Sequence, residues 1–192
     1  MRDTLKLPLV FDPPKLQADL RQILDGEYLP HFNTRYYEGD WSVVPLRSVG
    51  GVANQIYPDP TKGNEFADTP LLERCAYIKD ALAAFQCPLL SARFLRLAVG
   101  SIIKEHRDYN LSVEDGEARL HIPVMTNPEV EFFLNGERVI MNEGECWYLN
   151  LNLKHRVANR GKTDRIHLVV DCVVNDWFRN LLSGETIGTT AA

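Results

Sequence analysis

His106-Arg107-Asp108 sets an imidazole and a carboxylate two residues apart, and His155 follows 47 residues later. In an extended segment residues i and i+2 point to the same side, so His106 and Asp108 can chelate one ion. Two neutral imidazoles and one carboxylate form the donor set of a mononuclear Fe(II) oxygenase, whose open face takes a co-substrate and O2. Such a site keeps residual positive charge, which favours an anionic 2-oxo acid. The dyad alone carries little weight. With 26 Asp and Glu and five His in 192 residues, about 0.7 His-x-acid pairs arise by chance. Arg165 adds a further element ten residues after His155, on the next strand across a hairpin whose tight connection is NRGKT (Asn159 to Thr163). A guanidinium on the same side can grip the far carboxylate of a co-substrate whose near end chelates the ion. The residues leave one alternative open, a structural His106–Asp108 hydrogen bond with Arg165 bridging to Asp171 or Asp108. His31 reads as a loop residue rather than a ligand, and His167 as either pocket lining or wall.

These side chains need strands to aim them. Ala92–Val99, Ala118–Met125, Val130–Leu134, Glu137–Met141, Glu145–Leu149, His155–Asn159 and Asp164–Val174 are short runs rich in Val, Ile, Leu and aromatics, mostly separated by turn residues. Asn135-Gly136 between FFL and ERVI signals a type I′ hairpin, because both turn positions need positive φ. Alternation puts Arg119 and His121 on one face and Leu120, Ile122 and Val124 on the other. Likewise Arg165 and His167 oppose Ile166, Leu168 and Val170. A barrel with a cationic, imidazole-rich interior accounts for a polar face built of Arg and His rather than Lys, Glu and Thr.

Ahead of the strands, Lys15–Leu24 and Leu71–Phe85 read as helices and Trp41–Val49 as a strand. Between the strand and the second helix, Gly50–Pro70 is a Gly/Pro/Asp/Asn-rich loop long enough to serve as a lid. Asn175–Leu182 reads as a short amphipathic helix. The expectation is one domain of α+β class, mainly β: a jelly-roll or cupin-like barrel (a double-stranded β-helix) with helices on one face. Residues 1–90 hold the N-terminal helices, first strand and loop, 91–174 the core, and 175–192 the last helix and tail.

Composition excludes several classes. There are 21 Lys and Arg against 26 Asp and Glu, a net charge of −5, which argues against a protein that coats nucleic acid. No window approaches the ~20 apolar residues of a membrane span, and the first residues show no signal-peptide core. Cys75, Cys87, Cys146 and Cys172 lack any C-x-x-C spacing and read as reduced, buried thiols of a cytoplasmic protein.

IIKEHRDYN, EARLHIPVMTNPEVEFFLNGE and GECWYLNLNLKHRVANRGKTDRIHLVVD together resemble the aspartyl/asparaginyl β-hydroxylase-like family of Fe(II)- and 2-oxoglutarate-dependent dioxygenases. The likeness spans roughly residues 92–174, and WSVVPLRS (residues 41–48) resembles the upstream strand of the proline cis-4-hydroxylase branch. It implies a double-stranded β-helix, His106, Asp108 and His155 as iron ligands, and Arg165 on the distal carboxylate of 2-oxoglutarate. It also implies that Arg119 and His121 line the co-substrate site. The animal members lack the carboxylate ligand whereas Asp108 is present here, so the resemblance is to the branch acting on free amino acids. An amino acid or peptide would be the substrate. Trp41 and Arg47 share a strand face, and Arg93 and Arg96 precede the first ligand; any of these arginines could hold a substrate carboxylate. A non-oxidative metal enzyme of the barrel class and a 2-oxo-acid sensor are the competing expectations.

Overall fold

The computed structural model describes residues 3–56 and 65–184. Thirteen strands and three α-helices carry the fold among them. The strands are β1 (Thr4–Val10), β2 (Leu29–Pro30), β3 (Tyr37–Glu38), β4 (Trp41–Val49), β5 (Phe66–Asp68), β6 (Leu89–Leu97), β7 (Ile102–His106), β8 (Glu117–Met125), β9 (Val130–Leu134), β10 (Glu137–Arg138), β11 (Glu145–Leu149), β12 (His155–Asn159) and β13 (Arg165–Val173). The helices are α1 (Pro13–Leu20), α2 (Ala76–Ala83) and α3 (Asp176–Ser183). An eight-stranded sheet runs β1-β11-β8-β13-β6-β4-β2, with β5 on β4, and faces a five-stranded sheet of order β10-β9-β12-β7-β3. All pairings are antiparallel.

Alternation along the strands divides the interior in two. Leu120, Ile122, Val124, Ile166, Leu168 and Val170 turn outward from the larger sheet onto Leu16 and Leu20 of α1, Ile78 and Leu82 of α2 and Phe178 of α3. Trp41, Val43, Leu95, Leu97 and Val169 turn inward and meet Ile103, Phe132, Leu134 and Val157 of the smaller sheet. The central strand β13 is thus covered on both faces, and eight of its nine residues are buried. This is the jelly-roll expected from the sequence, with its helices on one face.

Local chemistry sets the boundaries. Asp12 caps α1 by accepting a hydrogen bond from Lys15 N at 3.2 Å, with Pro13 and Pro14 in the first turn. The expected helix over Lys15–Leu24 therefore begins earlier, and it ends at Leu20. The expected Leu71–Phe85 helix is a 3-10 turn over Leu72–Arg74 followed by α2. Glu137–Met141 yields only the two residues of β10. Asn135 and Gly136 adopt φ of 51° and 85° and close the β9–β10 hairpin with Leu134 opposite Glu137. Strands β1 and β7 were not expected. In the Gly50–Pro70 segment β5 pairs with β4, while residues 57–64, the centre of the expected lid, lie outside the described residues. No helix among the described residues is long and apolar enough to cross a membrane.

Candidate metal centre

Strands β7 and β12 lie side by side, and their register sets His106 opposite His155. Asp108 follows the end of β7, its backbone N–H donating to Leu151 O at 2.9 Å. The potential ligand atoms of His106, Asp108 and His155 all lie within 4.8 Å of one another. His106 Nε2 stands 3.6 Å from Asp108 Oδ1. Both imidazoles are oriented from behind: His106 Nδ1 contacts Lys104 O at 2.7 Å, and His155 Nδ1 contacts Leu153 O at 3.0 Å. A carbonyl only accepts, so each proton resides on Nδ1 and each Nε2 lone pair points to the gap between the ligands. Burial and the neighbouring His106 pull His155 down to about 4, keeping it neutral. The donor set, its spacing and both tautomers fit a divalent transition metal such as Fe(II).

The pocket at this centre is lined by Trp41, Leu95, Ile103, Phe132, Leu151, Val157 and the polar residues Arg119, His121 and Arg165 beside the three ligands. Arg165 is 2% exposed, and no carboxylate pairs with it among the described residues. Its NH2 donates to His167 Nδ1 at 2.9 Å. Burial alone pulls the guanidinium down to about 9, the mark of a cation lacking its counter-charge. Because Arg165 can only donate, His167 Nδ1 is unprotonated and His121 Nδ1, 3.3 Å away, is the donor between the two rings. His121 Nε2 is left as a bare lone pair. Burial and Arg165 hold both imidazoles well below the usual histidine range.

Three buried side-chain polar atoms have no hydrogen-bond partner among the described residues: Trp41 Nε1, His121 Nε2 and Arg165 Nε. All three belong to this one pocket. Buried orphans are rare in folded chains, and their convergence marks a place built for a polar guest. The guest must satisfy two N–H donors and neutralise a guanidinium. An anion with a chelating end fits.

Arg119 stands nearer the ligands. Its NH1 donates to Asp108 Oδ2 at 2.6 Å, while Nε and NH2 grip Asp171 Oδ1 and Oδ2 at 2.6 and 3.0 Å. Asp171 also receives Arg93 NH1 at 2.9 Å. Burial opposes ionisation of Asp171, but Arg119 and Arg93 hold its carboxyl well below the usual range. Burial disfavours the charged Arg119, and Asp171 with Asp108 more than offsets it. The arginine bridging Asp108 and Asp171 is therefore Arg119, and Arg165 has no carboxylate partner among the described residues.

The strand faces sort the remaining arginines. On β6, Arg93 shares the inward face with Leu95 and Leu97, whereas Arg96 turns outward over the Tyr28 ring at 4.1 Å and pairs with Asp40 at 3.2 Å. Arg47 does not reach the pocket. The register of β4 shifts between Pro45 and Arg47, which ends the alternation that placed Arg47 beside Trp41. It is held instead by Asp68 at 2.6 Å and by the carbonyls of Phe66 and Leu89. A second correction concerns β12 and β13, expected to form a hairpin. They belong to opposite sheets, so His155 and Arg165 meet across the interior. Sequence reading also passed over the aromatic rings stacked against two of the pocket's lining residues. His31 stacks on Trp41 with ring centroids 3.5 Å apart, and Tyr36 stacks on His106 at 5.1 Å. The aromatic run His31–Tyr37 was the available signal.

Comparison with known proteins agrees with this geometry. The family model described as Aspartyl/Asparaginyl beta-hydroxylase matches residues 12–174. An L-proline cis-4-hydroxylase of Rhizobium meliloti (strain 1021) is 27% identical over 163 residues, 84% of this chain and 57% of that protein. The chain thus spans little more than half the length of this curated relative. An oxidoreductase of the 2OG-Fe(II) oxygenase family from Burkholderia pseudomallei superposes with a TM-score of 0.59 at 16% identity, covering 90% of this chain and 86% of that one. HygX from Streptomyces hygroscopicus, solved with nickel and 2-oxoglutarate bound, gives a TM-score of 0.53 at 13% identity over 91% and 84% of the two chains. These two likenesses establish the fold; the family match, which runs through both sheets and all three metal-site residues, establishes that the chain belongs to the aspartyl/asparaginyl β-hydroxylase family.

Proposed function

We propose that the protein is a non-haem Fe(II)- and 2-oxoglutarate-dependent oxygenase that hydroxylates an unactivated C–H of a small amino acid substrate, free or within a peptide. The observation that carries this reading is Arg165, a buried guanidinium without a carboxylate partner among the described residues, in the pocket of the His106–Asp108–His155 triad. His106, Asp108 and His155 hold the iron, which with 2-oxoglutarate and O2 supplies the oxidising power for hydroxylation as 2-oxoglutarate leaves as succinate and CO2. Arg165 receives the distal carboxylate of 2-oxoglutarate. Arg119, fixed by Asp171, orients the free oxygen of Asp108 and adds positive charge beside the co-substrate. His121 lines the same space and is held by His167. Trp41, which lines the pocket, and Arg93, on the inward face of β6, are assigned to the substrate, Arg93 to a carboxylate and the Trp41 indole to its apolar body. The proline hydroxylase relative supports a free amino acid of similar size.

The test is succinate formation from 2-oxoglutarate with Fe(II) and a panel of free amino acids including L-proline, with His155→Ala as control. Succinate stimulated by one amino acid and lost in the variant is the expected result. Absence of turnover, together with failure of iron and 2-oxoglutarate to bind by titration, would overturn the reading.

A further inference from the structure

A second cavity lies at the other end of the interior. The β8–β13 register sets Asp171 opposite Arg119, Val169 opposite His121, His167 opposite Pro123 and Ile166 opposite Met125, so Arg165, which lines the metal pocket, and His167 stand at the end of β13 nearest Met125. Just beyond Met125 the chain opens into a cavity of about 730 Å³ bounded by Asn127, Arg138, Met141 and Glu143, a volume ordinary for a small-molecule site. Phe132 lines both spaces. His167, 1% exposed, lines the rear one.

The chemistry of that rear space follows from the tautomer already fixed. His167 Nδ1 accepts from Arg165, so its ring proton is on Nε2, and nothing among the described residues accepts from it. Glu143, the carboxylate of the lining, has both oxygens occupied: Oε1 by Thr126 N at 3.1 Å and Oε2 by Gln17 Nε2 at 3.0 Å. Arg138 stands at the rim. The walls, Val130, Phe132, Val139 and Met141, are apolar. Arg138 NH2 already donates to the carbonyls of Pro128 and Val130, so a guest meets one spare donor, His167 Nε2, and a hydrophobic cleft, backed by the uncompensated charge of Arg165.

We propose that the rear cavity is a second ligand site, for a small monocarboxylate with an apolar body, and that its occupancy opposes co-substrate binding through His167 and Arg165. The site stands on its own geometry; the coupling rests on the reading that Arg165 holds 2-oxoglutarate. The sign follows from charge. The guanidinium lines the front space and donates to His167, which lines the rear one, so a carboxylate on either side offsets the same charge, directly or through the imidazole, and leaves the other carboxylate with less to gain. Such coupling is reciprocal.

The probe is benzoate, titrated by calorimetry into the whole protein with Ni(II) in place of iron, with and without 2-oxoglutarate. One saturable benzoate site is expected, weakened at least tenfold by Ile140→Asp, which adds a negative charge at a rim position that is 67% exposed and tolerant of change. Saturating benzoate should raise the Kd of 2-oxoglutarate to a plateau of about fivefold, typical of coupled sites. In His167→Phe, read against that variant's own 2-oxoglutarate Kd, benzoate should no longer raise the Kd. Absence of saturable benzoate binding, or binding indifferent to Ile140→Asp, would overturn the site. A 2-oxoglutarate Kd that climbs without limit as benzoate rises would place benzoate in the front pocket and overturn it too. Failure of 2-oxoglutarate to bind without benzoate would instead overturn the proposed function, a separate outcome of the same titration.

Discussion

At the scale of single residues, Arg165 is out of balance in the unliganded chain. It is buried with one imidazole nitrogen as acceptor, and an unpaired interior charge costs several kcal/mol. Arg165→Met should therefore raise the denaturation midpoint of the metal-free protein, by about 1 kcal/mol or more of stability. The same substitution should weaken 2-oxoglutarate binding by about 2–5 kcal/mol. Loss on both counts would show that Arg165 is structural. His31 gives a pH-dependent case. Burial, reinforced by Arg93, draws it down to about 4, below its unfolded value near 6.5. The unfolded chain thus binds this proton first as pH falls. No cost exists above about 6.5, stability declines between about 6.5 and 4, and the loss levels off below, at no more than about 3.5 kcal/mol. His31→Phe keeps the stack on Trp41 and should flatten that part of the stability–pH curve in chemical denaturation.

At the scale of elements, β13 ties the site together through Asp171. Its carboxylate holds Arg119 from β8 and Arg93 from β6, the two strands that flank β13 in the sheet. Asp171→Asn would leave two buried guanidinium groups poorly paired, and a loss of about 3–5 kcal/mol is expected in urea unfolding. Asp40→Asn, which breaks the half-exposed pair with Arg96, should cost under about 1 kcal/mol. Elements of this kind were legible where alternation ran uninterrupted. Arg119/His121 and Arg165/His167 announced an inward polar face because helices cover the outward one, giving each strand an apolar side. Legibility failed where geometry breaks the period. The bulge at Pro45–Arg47 is signalled only by Pro45, which an interior strand accommodates at a bulge, and the NRGKT connection looks like a hairpin although it crosses between sheets. Strand β1 escaped because Pro8 and the charged Lys6 suit an edge. The donor triad was readable since His-x-Asp in extended chain chelates by local geometry. Asp171 and the His121–His167 contact join strands far apart in sequence, and no spacing rule reports them.

At the scale of the whole molecule, the order of strands in the larger sheet governs when the protein can fold. Strand β1 is completed by residue 10, yet its partner β11 begins at residue 145. The sheet's middle strand β13 runs to Val173 and stands between β8 and β6. A ribosome adding about 5–20 residues per second therefore displays β4, β6 and β8 for several seconds before their common centre exists. During that interval β8 and β6 lack the strand that joins them, and folding waits on β13. Chains arrested before residue 165 should remain protease-sensitive and aggregate, while release of β13 should confer protection in one cooperative step, measurable by pulse proteolysis of stalled nascent chains. For this protein, synthesis and folding are consecutive events, so its yield in a cell depends on whatever shields an unfinished sheet.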